Sequence, residues 1–205
     1  GDGSKSYRGD GGSLGQAAFN GMHNLAIAPD DSVSIADSWN HCIRRIDASG
    51  RIKTFAGTGK AGFGGDGGPS AKAQFNYIMC ITLNPSGEKL HVADLKNRRI
   101  REIDLKSDKV RTIAGNGQRG VPKDGAKATE APLVDPRAVC SDTAGNVYVL
   151  ERGGHALRVV RPDGRIYTVA GNGEKGNSDG MGSAARFNGP KHICADPSGN
   201  IYVAD

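Results

Sequence analysis

A repeat of about 56 residues is the feature that most restricts how this chain can fold. The pattern Thr-x-Ala-Gly-x-Gly-x-x-Gly occurs at residues 54–62, 112–120 and 168–176, and residues 1–19 align without a gap onto residues 57–75. Repeats of this length are typical of arrays and propellers, in which each unit packs against copies of itself. The approximate repeats are residues 1–56, 57–114, 115–170 and 171–205.

Each complete repeat carries the pattern of two β-hairpins. In the first repeat, a short apolar run at residues 25–28 is followed by a turn and by an alternating run at residues 33–37. A second pair of runs follows at residues 42–47 and 51–56, and no helical period of about 3.6 residues persists over any ten-residue window. The 31 glycines suit turns better than helix interiors. The sequence therefore predicts four short antiparallel strands per repeat and almost no helix.

An all-β chain with this period is typical of a β-propeller, whose four-stranded blades pack face to face around a channel. The first three repeats contain both hairpins and the fourth contains only the first, so we expect about three and a half blades. Apolar residues make up 37% of the chain, which is low but sufficient for a core between blades.

Two segments resemble the signature of the NHL-repeat family, in the form common to its glycine-rich bacterial members. Asn-His-Cys-Ile-Arg at residues 40–44 and Asn-Arg-Arg-Ile-Arg at residues 97–101 both follow an Ala-Asp pair, whereas residues 150–158 of the third repeat lack the Ala-Asp and the Asn. The resemblance covers essentially the whole chain and implies a propeller that commonly has six blades, or roughly 330 residues. We therefore expect further blades from a longer chain or from other copies.

The glycine-rich loops match two ligand-binding patterns only superficially. The Gly-x-Gly-x-x-Gly segments are followed by more Gly, Asp and Pro rather than by the helix N-terminus that a dinucleotide needs. The Asp-Gly clusters at Asp10, Asp66 and Asp124 offer one carboxylate each, whereas a calcium loop uses several oxygen ligands. We expect no cofactor and assign these loops to turns between blades.

An acidic residue precedes an arginine by seven positions in each of the first three repeats. Such a pair can be mistaken for a catalytic acid and its partner, but its recurrence in every blade favours a structural turn in which the carboxylate binds the guanidinium. The pairs are Asp37 with Arg44, Asp94 with Arg101, and Glu151 with Arg158.

Positions at which the repeats disagree predict the ligand-binding site. Aligned on Phe19 and its equivalents, these positions open the first strand, which in a propeller is innermost and lines the channel. The residues four positions beyond Phe19 and its equivalents are His23, Met79, Arg137 and Lys191, and three of these four side chains can donate hydrogen bonds to an anion. The alternative interpretation is that they are solvated strand ends. The predicted binding residues are His23, Asn24, Arg137, Lys191 and His192.

These features favour a non-catalytic binding scaffold whose ligand is a protein segment, a glycan or an anionic small molecule. No nucleophile and base pair, carboxylate dyad or complete metal set is present, so we expect no catalytic and no metal-binding residues. The alternative is a metal-dependent lyase or lactonase, because enzymes that resemble this architecture hold a metal at the channel mouth and His23 and His192 could contribute two ligands.

RNA binding is a lesser alternative that would use a basic rim around the only tryptophan. Nucleic-acid binding needs a denser basic stripe and more stacking aromatic residues, and the net charge is only +5. The residues of this rim are Trp39, Lys96, Arg98 and His155.

The four cysteines show no metal-binding or Cys-x-x-Cys spacing, and we expect them to be buried free thiols. No apolar run reaches the roughly 18–20 residues of a membrane span. The glycine-rich bacterial character suggests an extracellular or periplasmic protein.

Overall fold

The computed structural model describes residues 1–205 and consists of antiparallel β-sheets joined by long loops. Three sheets have four strands in sequential order, and the third of them gains a short fifth strand at its outer edge. A two-stranded sheet follows at the C-terminal end of the chain. The prediction of an all-β propeller with about three and a half blades is confirmed.

The strands of each blade follow one another in the chain. Blade 1 contains β1 (Met22–Ile27), β2 (Val33–Asp37), β3 (Cys42–Ile46) and β4 (Ile52–Ala56). Blade 2 contains β5 (Ile78–Leu83), β6 (Lys89–Asp94), β7 (Arg99–Asp104) and β8 (Lys109–Ala114). Blade 3 contains β9 (Ala126–Lys127), β10 (Pro136–Ser141), β11 (Val147–Glu151), β12 (Ala156–Val160) and β13 (Arg165–Ala170). The half blade 4 contains β14 (His192–Ala195) and β15 (Ile201–Ala204).

The only helical elements are five single 3₁₀ turns. No helix of the structure has the length and apolar character of a membrane span. The turns are Leu14–Gln16, Ser38–Asn40, Ser70–Lys72, Leu95–Asn97 and Gly182–Ala184.

The hydrophobic core lies between blades rather than within one sheet. One cluster joins blades 1 and 2, with Phe75 and Ile81 fully or almost fully buried, and a larger cluster joins blades 2, 3 and 4 around Leu133 and Leu150. The first strands of neighbouring blades contact one another, so they lie at the centre of the array. Each blade carries apolar residues on both faces, and these residues are buried only where neighbouring blades pack against them.

Each of the first three glycine-rich loops covers the outer strand of the blade that follows it. The backbone N–H of Gly11 donates to Ile52 O, and Gly67 N–H donates to Val110 O, both at 2.8 Å. In blade 3 the same contact lengthens into β9, which pairs with β13. Because an outer strand with unpaired backbone groups invites aggregation, these loops protect the edge of every complete blade.

Three of the four thiols are buried as predicted, and all four are free. The prediction was wrong for Cys194, which is exposed. Its equivalent in blade 3, Cys140, is covered by blade 4, whereas the face of β14 that carries Cys194 has no blade packed against it in this chain.

Candidate functional site

The acid and arginine pairs lie close together in all three complete blades. Arg44 Nη1 is 3.6 Å from Asp37 Oδ2, and Arg101 Nη1 is 3.5 Å from Asp94 Oδ2. Arg158 Nε donates to Glu151 Oε2 at 2.8 Å. All six side chains are almost completely buried. Isolated buried charges are costly, so each residue requires its partner.

The carboxylates of these pairs also hold the chain where it enters the first strand. Asp37 accepts a hydrogen bond from Asn20 N–H at 2.7 Å, and Asp94 accepts one from Asn76 N–H at 2.7 Å. Burial raises the pKa of Asp94 to about 6, although the amide donors and the Arg101 guanidinium oppose this shift. The same contacts connect the turn between strands two and three to the start of strand one, at one end of every blade. We call this end of the propeller the mouth surface.

The first strand of each complete blade is interrupted where it reaches the mouth surface. The pairing register shifts at His23 in blade 1, at Met79 in blade 2 and at Arg137 in blade 3. A β-bulge turns the local side chain away from the regular alternation of the strand. His23 and Arg137 therefore occupy bulges, whereas Asn24 and His192 occupy regular paired positions opposite Ala36 and Ala204.

Two of the predicted binding residues meet inside the channel. Asn24 Oδ1 accepts from Ile81 N–H at 3.0 Å, which leaves Asn24 Nδ2 to donate to His192 Nε2, also at 3.0 Å. This bond joins blade 1 to blade 4. Both residues line a cavity of about 550 Å³ formed by the first strands of all four blades.

His23 belongs instead to a cluster of aromatic side chains at the mouth surface. The ring of Tyr77 lies 5.5 Å from His23 and 4.6 Å from Trp39, with an edge-to-face arrangement in both pairs. Lys96 Nζ is 5.3 Å from the centre of the Tyr77 ring. We call His23, Trp39, Tyr77 and Lys96 the aromatic cluster. Such pairs stabilise each other while leaving surface for a ligand.

Lys191 lies in a polar depression of about 540 Å³ between blades 3 and 4, on the same mouth surface. No hydrophobic residue lines it, and its three cations face a single carboxylate, that of Asp135. The depression is lined by Asp135, Arg152, Gly153, His155, Lys175, Asn188, Gly189 and Lys191.

Arg137 lies on the bulge of β10, near groups of both the depression and the aromatic cluster. Burial, together with the nearby charge of Arg152, lowers the pKa of the Arg137 guanidinium, and Asp135 and Tyr77 oppose this effect. Its Nε is buried and has no hydrogen-bond partner in the protein. The Nε atoms of Arg44, Arg98 and Arg101 are buried without a partner in the same way.

The two histidines of the metal alternative do not come together. His23 packs against Tyr77, and His192 accepts from Asn24. No group of three or more His, Cys, Asp or Glu side chains is arranged to hold a metal ion.

Comparison with known proteins adds the family. No family model matches the chain. Curated relatives include the chloroplastic protein SUPPRESSOR OF QUENCHING 1 of Arabidopsis thaliana, 32% identical over 159 residues, and NHL repeat-containing protein 2 of Homo sapiens, 29% identical over 199 residues. The relatives named NHL repeat-containing protein 2 support an NHL-repeat family for this chain. The alignments cover 75% and 85% of this NHL chain but only 15% and 27% of those two proteins.

Solved structures share the propeller fold of the NHL chain at low sequence identity. An auxiliary nutrient binding protein from Bacteroides thetaiotaomicron superposes with a TM-score of 0.70 at 18% identity, over 92% of this chain and 46% of that one. A streptogramin B lyase superposes with a TM-score of 0.60 at 14% identity, over 98% and 50% of the two chains. The fold is thus common to a binding protein and an enzyme.

Sequence reasoning missed two sets of residues in this NHL propeller. Asp10 and Asp66 were assigned to turns, yet each also binds a buried arginine at 2.6 Å, and the signal was the recurrence of the Gly-Asp-Gly-Gly loop with that arginine. No sequence pattern predicts a role for Tyr77, although it stands where the first and fourth repeats have glycine.

Proposed function

We propose that this NHL propeller is a binding scaffold that takes an anionic ligand at its mouth surface. The propeller fold supports a binding scaffold in general. The observation that carries the finer proposal is the polar depression, where Arg152, Lys175 and Lys191 face one carboxylate. Clefts lined by charges of one sign concentrate ligands of the opposite sign.

Arg137 supports the same ligand chemistry. Its guanidinium stays charged at neutral pH, and it lies near Arg152, one of the three cations of the depression. Charge-assisted hydrogen bonds to a carboxylate or phosphate would compensate for the burial of this side chain.

Calorimetric titration with tricarballylate, an acyclic tricarboxylate, tests the proposal. We expect Lys191→Ala and Lys175→Ala each to weaken binding about tenfold, which corresponds to about 1.4 kcal/mol. Lys106→Ala is the matched control, because it removes an equal charge from the β7–β8 turn at the other end of the blade. The proposal would be contradicted if the unmodified protein and the three variants bound tricarballylate equally tightly, or if the unmodified protein did not bind it at low salt.

The enzyme alternative rests on the lyase and gluconolactonase-like structures that share the fold. Elemental analysis of the purified protein separates the two. About one metal ion per chain, lost on His192→Ala, would replace the binding proposal with a metal-dependent lyase or lactonase.

We also propose that further blades pack against the exposed faces of this chain and complete a ring of six. Leu25 and Ile27 of β1 are 57% and 62% exposed, whereas Ile81, which is equivalent to Leu25 in blade 2, is 2% exposed. Apolar surface of this kind is characteristic of an interface. Light scattering would measure whether the chain self-associates to cover these faces.

We further propose that the protein is extracellular or periplasmic, a location that the nutrient-binding neighbours suggest.

A further inference from the structure

Tyr77 adopts a backbone conformation that the repeat otherwise gives to glycine. Its φ is 66°, and the equivalent residues Gly21 and Gly189 have φ values of 63° and 74°. The left-handed region is unfavourable for a residue with a side chain, and a bulky aromatic residue there is an outlier. The third repeat places Asp135 at this position without a positive φ. Tyr77 is therefore strained relative to the glycine that its neighbours use.

The surroundings of Tyr77 hold it in this conformation. Its N–H donates to His41 Nδ1 of blade 1 at 3.1 Å, and its ring packs against Trp39 and His23 of the same blade. Trp39 in turn requires glycine at position 21, because a Cβ there would lie 1.8 Å from Trp39 Cδ1. Positions 21 and 77 are equivalent in the repeat, and both affect Trp39. Gly21 leaves room for the Trp39 side chain, and Tyr77 packs against the Trp39 ring.

This arrangement leaves aromatic surface beside positive charge. Trp39 remains 50% exposed although it packs on Tyr77. Lys96 Nζ lies 6.0 Å from the centre of the Trp39 ring and 5.3 Å from the centre of the Tyr77 ring. Strain that persists at a half-buried tyrosine beside an exposed tryptophan points to a functional role, because glycine at this position would relieve it, as in the repeats that carry Gly21 and Gly189.

We propose that Tyr77 and Trp39 form a stacking platform that selects a cyclic anion, a pyranose bearing a carboxylate, for the anion site at the mouth surface. The proposal rests on the proposed function. The C–H face of a pyranose packs against aromatic rings, while its carboxylate would pair with Lys96 or Arg137. An acyclic anion uses only the cations, and a neutral sugar uses only the rings.

Calorimetry with three probes tests this selectivity. Trigalacturonate has three pyranose rings and three carboxylates. Tricarballylate has three carboxylates and no ring, and maltotriose has three pyranose rings and no charge. We expect the unmodified protein to bind trigalacturonate about tenfold more tightly than tricarballylate and to bind maltotriose weakly. Tyr77→Gly should remove this preference and leave the affinity for tricarballylate within about twofold.

Thermal denaturation of the same variant distinguishes a binding role from a structural one. Tyr77→Gly relieves the strain but loses the packing on Trp39 and His23, so the two effects oppose each other and the variant should melt close to the unmodified protein. Tyr77→Asn, which also tolerates positive φ, is the second variant if the glycine variant does not fold.

The outcomes separate this inference from the proposed function. Binding of tricarballylate that depends on Lys191, with no preference for trigalacturonate or with a preference that survives Tyr77→Gly, would overturn the platform and leave the anion site standing. A lower melting temperature with unchanged selectivity would show that Tyr77 is structural. No binding of either anion would overturn both proposals.

Discussion

Arg101 Nη2 and Asp66 Oδ1 lie 2.6 Å apart, and this contact joins β7 to the glycine-rich loop that covers the same blade. Arg44 and Asp10 form the identical contact in blade 1. Each arginine also faces the acid at the end of its neighbouring strand, so one buried guanidinium connects a loop, a strand end and two backbone carbonyls. The arginine of the NHL signature therefore acts as an internal tie for the blade.

Asp94→Ala should destabilise the fold strongly. The substitution leaves Arg101 buried with one carboxylate instead of two, and it removes the acceptor for Asn76 N–H and for the Asn97 amide. Breaking a buried charge pair costs about 3–5 kcal/mol. Urea denaturation measures the change, and Asp179→Ala, an exposed residue, is the control. Equal unfolding midpoints for the two variants would contradict the structural role of the pair.

Two glycines with the same backbone conformation should respond differently to alanine. Gly67 and Gly115 have φ values of 82° and 87°, but a Cβ at Gly67 meets nothing within 4 Å, whereas one at Gly115 would lie 2.1 Å from Arg98 O. Gly67→Ala should lower the free energy of unfolding by about 1–2 kcal/mol, the cost of positive φ alone. Gly115→Ala adds a backbone clash, for a total of about 2–5 kcal/mol. Similar losses of unfolding free energy for the two variants would show that the backbone around Arg98 shifts to make room for the added Cβ.

Glu102 should make the protein sensitive to acid. Burial opposes its ionisation, but hydrogen bonds from His91 and Arg111 outweigh this effect and lower the pKa of Glu102 to about 2, from 4.5. A lowered folded-state pKa means that the stabilisation is complete above pH 4.5 and is lost as the pH falls through 2. The loss is on the order of 3 kcal/mol.

Denaturation of Glu102→Gln between pH 2 and pH 6 checks this expectation. Because glutamine does not titrate, the variant should lose less stability than the unmodified protein over this range, while being less stable near pH 6. Parallel pH profiles for the two proteins would show that folding does not lower the pKa of Glu102.

Only one of the four thiols should react rapidly in the folded protein. Burial raises the pKa of Cys42 and Cys140 to about 12 and that of Cys80 to about 11, so these groups remain protonated thiols at pH 8. Cys194 is exposed. Labelling with Ellman's reagent should release one equivalent quickly and the others only after denaturation, and Cys194→Ser should abolish the fast phase. A second fast thiol would mean that the blade interfaces open.

Much of the fold follows from local patterns in the sequence. The strand expected at residues 33–37 is observed as Val33–Asp37, and that expected at residues 42–47 as Cys42–Ile46. Short alternating runs between glycine and proline turns specify strands through sterics and side-chain alternation, which act within a few residues. β9 was missed because two residues carry no periodicity, and its pairing depends on where the loop meets β13.

The candidate site could be predicted only in part. Disagreement among repeats led to His23, Arg137 and Lys191, which lie at the mouth surface, and also to Asn24 and His192, which bind each other inside the channel. A bulge at His23 and the angle between blades determine which of these side chains face one another, and neither has a local sequence signal.

The sequence by itself determined the repeat, the strands, the turns and the family, because these depend on short-range chemistry that recurs in every blade. The tertiary structure alone decided that Tyr77 meets Trp39 and that Asp66 reaches Arg101, since these contacts depend on how separate blades and loops are brought together. Such contacts form only when segments far apart in the sequence pack around a common centre. Their geometry therefore depends on the whole packed array rather than on any single repeat.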